Sequence, residues 1–159
     1  KNKGTLQYKN FYFKCAIGKK GLTLNKKEGD KKTPKGKFGI EYLYYRKDRI
    51  KNFSSKLRCI PISKNMGWCD DKKDKKNYNR KIKNLKKIKH EKLYRKDGIY
   101  NLLIPIKYNF SKPKPGKGSA IFLHLTEKYK PTEGCIAINK NDFLILLRLI
   151  NNKTKIIIK

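Results

Sequence analysis

Ile121-Phe-Leu-His124-Leu125, followed after a short polar loop by Thr132-Glu133-Gly134-Cys135-Ile-Ala-Ile138, is the part of this chain from which the rest can be read. One apolar run ends in His, and Gly-Cys opens the next. Read as neighbouring strands, they bring the imidazole of His124 and the thiol of Cys135 together where the pair opens. A general base beside a thiol is the arrangement for nucleophilic acyl transfer, because the thiolate and not the thiol attacks a carbonyl. Gly134 removes side-chain bulk, so that backbone N–H groups can approach a developing oxyanion. Two plainer readings stand beside this one. Cys135 can be a small buried hydrophobe, and His124 a structural hydrogen-bonder at a strand end.

Outward from that centre the chain reads as short strands between turns. Residues 6–8 and 11–17 alternate, with Phe11, Phe13, Cys15 and Ile17 on one face. Gly18-Lys-Lys-Gly21 is a turn, and residues 22–24 begin a return strand. Further strands are expected over 38–45 and 57–62. The polar, lysine-rich span 63–89 has no periodicity and reads as one long loop. Residues 99–108 form a strong strand, which Pro105 marks as an edge or a bulge. Asn141-Asp142 caps a helix carrying Phe143, Leu144, Leu147 and Ile150 at helical spacing, and residues 154–158 close the chain as a strand. The fold expected is mainly β with one or two α-helices, in one domain over residues 1–159.

The chain has 43 Lys+Arg against 12 Asp+Glu, a net charge of +31. A field of that sign attracts polyanions, either nucleic acid or an acidic wall polymer. The excess is almost all Lys, however, and Asn, Ile and Tyr are abundant with it. All four have A/T-rich codons, so coding bias accounts for the composition and no specific nucleic acid is expected. A non-catalytic basic module remains the rival from another functional class. No apolar run reaches the ~18 residues of a membrane span, and no signal peptide is visible ahead of Lys1-Asn-Lys-Gly4, which reads as a mature or trimmed start. Cys15, Cys59, Cys69 and Cys135, with His90 and His124, match no zinc-site spacing, so no metal is expected. If Cys135 is free, Cys59 and Cys69 form a disulfide in an oxidising compartment, or both are buried thiols.

Three segments resemble the YkuD-type L,D-transpeptidase domain, the cysteine-dependent enzymes of bacterial peptidoglycan. Thr33-Pro34-Lys-Gly36-Lys-Phe38 resembles the family's Thr-Pro-x-Gly-x-Phe element, the strand ending at His124 its histidine strand, and Thr132-Glu133-Gly134-Cys135 its Ser/Thr-His-Gly-Cys stretch. Glu133 replaces a second histidine, Ala137 an arginine and Leu125 a glycine. Met66-Gly-Trp68-Cys69-Asp70-Asp71, Asn77-Tyr78-Asn79-Arg80 and His90-Glu91-Lys-Leu-Tyr94 resemble a divergent branch. The resemblance implies a β-sandwich or barrel-like sheet packed with the late helix. It implies Cys135 as nucleophile and His124 as base, with Gly134 and Cys135 N–H groups for the oxyanion and Thr132 setting the turn or meeting substrate. A backbone carbonyl, or Glu133, orients the imidazole; Glu133 alternatively meets an amine acceptor. Arg80, with Trp68 and Tyr78, is expected to wall the substrate and grip a stem carboxylate, or these residues belong to a loop packed through its aromatics. Asp70 and Asp71 pair with a substrate amine or with lysines. The Thr33-Pro34-x-Gly36 element is expected to be structural, as is His90. Peptidoglycan stem peptides are the implied partner, no cofactor is implied, and the substrate places the protein in the periplasm or cell envelope.

Overall fold

Almost every central strand of this protein is apolar on both faces, and a strand of that kind must be covered on both sides. The structure, a computed structural model, describes residues 2–83 and 88–159. Its main sheet has seven strands in the order β1 (Lys3–Tyr8), β2 (Phe11–Ala16), β13 (Ile136–Ile138), β12 (Phe122–Leu125), β11 (Leu102–Pro105), β6 (Tyr42–Tyr45) and β7 (Arg58–Pro61). It is open, with β1 and β7 as its edges.

The alternation of side chains along each strand sorts them onto two faces. One face carries Leu43, Leu102, Ile104, Leu123, Leu125, Ile136 and Ile138, and is covered by Phe143, Leu146 and Leu147 of α1 (Lys140–Leu149). The other carries Tyr44, Leu103, Phe122 and Cys135, covered by Met66, Trp68 and Leu93. That second cover is a three-stranded sheet of β10 (His90–Lys92), β8 (Met66–Cys69) and β9 (Lys81–Lys83).

The expectation of a mainly β protein with one helix and the packed late helix holds, and several local expectations change. Residues 63–89 are not one loop, because β8 and β9 lie within them; residues 84–87 of that span fall outside the described residues. The strand over 38–45 divides. β5 (Gly36–Gly39) pairs with β14 (Lys155–Ile158), and the chain crosses at buried Ile40 into β6 of the main sheet. β3 (Leu22–Thr23) does not return along β2 but pairs in parallel with β4 (Thr33–Pro34). Pro105 stands on an interior strand. It is tolerated because β11 is in register with β6 only at Leu102 and Leu103, so that Pro105 faces Phe122 alone. The helix begins earlier than the Asn141-Asp142 signal indicates, since Asn139 is its cap and accepts the Asp142 N–H at 2.9 Å. No disulfide forms between Cys59 and Cys69. All four cysteines are free: Cys59 is exposed on edge strand β7, whereas Cys69 is buried in the separate three-stranded sheet. Among the described residues no helix is long and apolar enough to cross a membrane.

Candidate active site

β12 and β13 are parallel neighbours, with His124 opposite Ala137. Cys135 precedes Ala137 by two residues, so the period of two puts its side chain on the same sheet face as His124. Both line one cleft of about 1270 Å³, together with Glu91, Arg95, Tyr100 and Thr132. That volume exceeds an ordinary small-molecule pocket and suits a peptide.

The two side chains share the cleft without a hydrogen bond between them among the described residues. The Cys135 thiol donates to the Ala120 carbonyl at 3.2 Å, and its sulfur accepts the Phe122 N–H at 3.4 Å. His124 turns Nδ1 to the carbonyl of Leu125 at 2.9 Å, so this nitrogen carries the proton and Nε2 is left as the acceptor. The backbone carbonyl therefore orients the imidazole. Glu133 does not, since its carboxylate is exposed and paired with Lys19 and, at 3.8 Å, Lys31. Tyr100 supports the other side of the ring, edge-on at 5.3 Å between centroids, with its hydroxyl 3.2 Å from Glu91 Oε1.

Burial keeps both groups neutral at rest. It pushes the Cys135 thiol up to about 12, against the opposing pull of the Phe122 N–H, and it lowers the His124 imidazole to about 4. The resting pair is a thiol and a neutral imidazole rather than a thiolate–imidazolium ion pair.

The turn before Cys135 is built from hydroxyls. Thr132 Oγ1 donates to the Cys135 carbonyl at 2.6 Å and accepts the Gly134 N–H at 3.1 Å. Gly134 N–H is thus occupied, and the Cys135 N–H is the one of the expected oxyanion pair that makes no hydrogen bond among the described residues. Gly134 adopts φ +139°, and a Cβ there would lie 2.9 Å from the Lys32 carbonyl, so only glycine fits. The Thr33-Pro34 element is more than a turn. Fully buried Thr33 accepts the Gly18 N–H at 2.9 Å and donates to the Cys135 carbonyl at 3.4 Å, tying β4 to the turn before Cys135. Thr33→Val keeps the shape and removes both bonds, leaving the Gly18 N–H unpaired. We expect it to lower stability by about 1–2 kcal/mol in denaturant unfolding; an unchanged midpoint would mean that this tie carries no weight.

The structure thus places Cys135 and His124 on one sheet face and in one cleft, each hydrogen-bonded to backbone. A profile of the YkuD L,D-transpeptidase catalytic domain matches residues 2–158, essentially the whole chain. The chain belongs to the YkuD family of L,D-transpeptidase catalytic domains. No curated protein and no solved structure matches it.

Within this YkuD domain Glu133 also lines the cleft, whereas the other expected substrate contacts, Trp68, Tyr78 and Arg80, lie elsewhere. Trp68 is buried and donates to Asn79 Oδ1 at 2.8 Å, and Tyr78 is fully buried with its hydroxyl 2.5 Å from Glu28 Oε2. Trp68 packs the three-stranded layer against Tyr44 and Phe122 of the main sheet, and Tyr78 is buried in the connection between β8 and β9. Arg80 donates to the Ser111 carbonyl at 3.1 Å and stacks over Phe110, and it does not line the cleft. Asp71 accepts the Lys73 N–H at 2.9 Å, and burial raises the carboxyl of Asp70. His90 sits in β10 opposite Cys69. The guanidinium that does line the cleft is Arg95, held by Asp97 and by Glu91 at 3.0 Å and stacked over Tyr100. Glu91 lies in the His90–Tyr94 segment, whose sequence suggests no cleft role for it, and nothing in the spacing of Arg95 and Tyr100 marked them, because the connection between β10 and β11 brings them to the cleft only through tertiary packing.

Proposed function

We propose that this domain, the single catalytic unit of residues 1–159, is a cysteine acyltransferase acting on peptidoglycan stem peptides in the bacterial envelope. The observation that carries the reading is the position of Cys135 and His124 on one face of paired parallel strands, in one cleft. Cys135 Sγ attacks the carbonyl at the L-centre of a diamino-acid residue in a tetrapeptide stem, and its proton passes to His124 Nε2. The tetrahedral oxyanion faces the Cys135 N–H. Collapse breaks the C–N bond, the imidazolium returns its proton to the departing D-alanine amine, and a thioester remains. The amine of a second stem attacks that thioester, His124 takes its proton, and the thiol is restored as the L,D cross-link forms. Sulfur suits the task because a thioester forms readily and stays reactive to amines.

Intact-mass spectrometry with purified disaccharide-tetrapeptide, together with analysis of the muropeptides, tests this. An acyl adduct with linked dimers is expected. Tripeptide without dimers would replace the amine by water and make the enzyme an L,D-carboxypeptidase or endopeptidase. Absence of both adduct and product would discard acyl transfer on this substrate and leave a basic binding module ahead.

A further inference from the structure

Among the described residues of a chain rich in lysine, one lysine is buried: Lys26, 4% exposed, in the loop between β3 and β4. A buried ammonium is costly unless it is paired and hydrogen-bonded. Lys26 meets both conditions, with an ion pair to Asp30 and a hydrogen bond to the Lys27 carbonyl at 3.1 Å. Asp30 is itself fixed, accepting the N–H groups of Lys27 at 2.8 Å and Lys32 at 2.9 Å.

The location is the back of the nucleophile turn. Gly118 makes room for the lysine stem, since a Cβ there would come within 2.7 Å of Lys26 Cγ. On the other side a Cβ on Gly134 would lie 3.5 Å from Lys26 Nζ. Gly118 therefore seats the stem, and the ammonium lies beside Gly134, the residue before Cys135. The charged and titratable groups facing Cys135 are few. Glu91 and Tyr100 approach from the cleft, and His124 is neutral. Of these, Glu91 opposes a negative sulfur, and the Lys26 ammonium favours one. Asp30 and the Lys27 carbonyl face the ammonium, and the nearby Glu28 carboxylate is held by Tyr78 and Ser119.

We propose that Lys26 is a positioning residue for nucleophilic attack: its buried ammonium, held by Asp30 behind Gly134, favours the thiolate of Cys135. The inference rests on Cys135 being the nucleophile and on nothing about the substrate. In a site where burial disfavours every charged form, a fixed cation behind the sulfur lowers the cost of the thiolate without occupying the cleft.

The pair gives the test its sign. Removing the ammonium in Lys26→Met keeps the stem in place, and removing the counter-charge in Asp30→Asn leaves the ammonium unneutralised. Iodoacetamide labelling across a pH series, read by peptide mass spectrometry so that Cys15, Cys59 and Cys69 are counted apart from Cys135, reports the thiolate. Lys26→Met is expected to slow Cys135 labelling about threefold at a fixed mildly alkaline pH, moving the profile up by about half a unit. Asp30→Asn is expected to move both the other way. A purely structural role moves the two variants in the same direction, and that result, or no change in either, overturns the role of Lys26. Should Lys26→Met fail to fold, Asp30→Asn alone decides, because labelling no faster than wild type overturns the proposal. If Cys135 takes no label in the wild type, the nucleophile reading falls first and Lys26 with it.

Discussion

Cys135→Ala and Cys135→Ser are both expected to fold and to form no acyl-enzyme, with turnover lower by at least about 10⁴-fold, the scale of removing a nucleophile that acts with its base as a unit. Folding should survive because the sulfur makes only two modest bonds, to the Ala120 carbonyl and from the Phe122 N–H. A serine hydroxyl can replace both. The chemical loss in the serine variant is the informative part. Oxygen in place of sulfur removes the more nucleophilic atom and the better leaving group of the second step, and the buried neutral imidazole of His124 supplies no compensating basicity. Intact mass after incubation with tetrapeptide muropeptide, alongside a thermal melt, checks the prediction. A folded Cys135→Ala protein that still produces cross-linked or trimmed muropeptides would remove Cys135 from the chemistry.

The centre of the site was readable because its signals are local. Phe122–Leu125 and Ile136–Ile138 are short, apolar and close in sequence, and once they pair in parallel the period of two fixes which side chains share a face. The same locality made β1, β2 and the late helix legible. What failed was of two kinds. Lysine-rich stretches conceal strands, because β8 is four buried residues inside a basic span and β9 buries only Ile82 between two exposed lysines. Contacts made across layers leave no spacing to detect. Arg80, Trp68 and Tyr78 were aromatic and cationic in the right proportions for a substrate wall, yet Trp68 is buried against the main sheet, Tyr78 is buried in the connection between β8 and β9, and Arg80 lies over Phe110. Arg95 and Tyr100 carry no stronger local pattern, and they line the cleft because the connection from β10 to β11 runs past it. Burial of Lys26 belongs to the same class, since one lysine among so many is indistinguishable until the glycine that seats its stem, Gly118, is seen in place.

Replacing His124 with Asn should lower acylation by about 10²–10⁴-fold, the contribution of a positioned general base, and should also change how stability depends on pH. The second effect follows from burial. In the unfolded chain the imidazole titrates at its ordinary 6.5, and in the fold it titrates at about 4. Between those values the unfolded state holds a proton that the native state lacks, so stability rises with pH across that window. The contribution is fully present above 6.5 and is lost as pH falls through about 4. It amounts to about 3 kcal/mol across the window. Asn can keep a hydrogen bond to the Leu125 carbonyl but has no proton to gain, so its unfolding free energy lacks this slope. Denaturant unfolding of both proteins from pH 4 to 6.5 should give curves that converge toward the acid end, with the wild type gaining on the variant as pH rises. Parallel curves would mean that His124 is solvated and ready to protonate. A solvated His124 would rest as an imidazolium at mildly acid pH, able to pair with a preformed thiolate, and the neutral resting pair inferred from its burial would have to be abandoned.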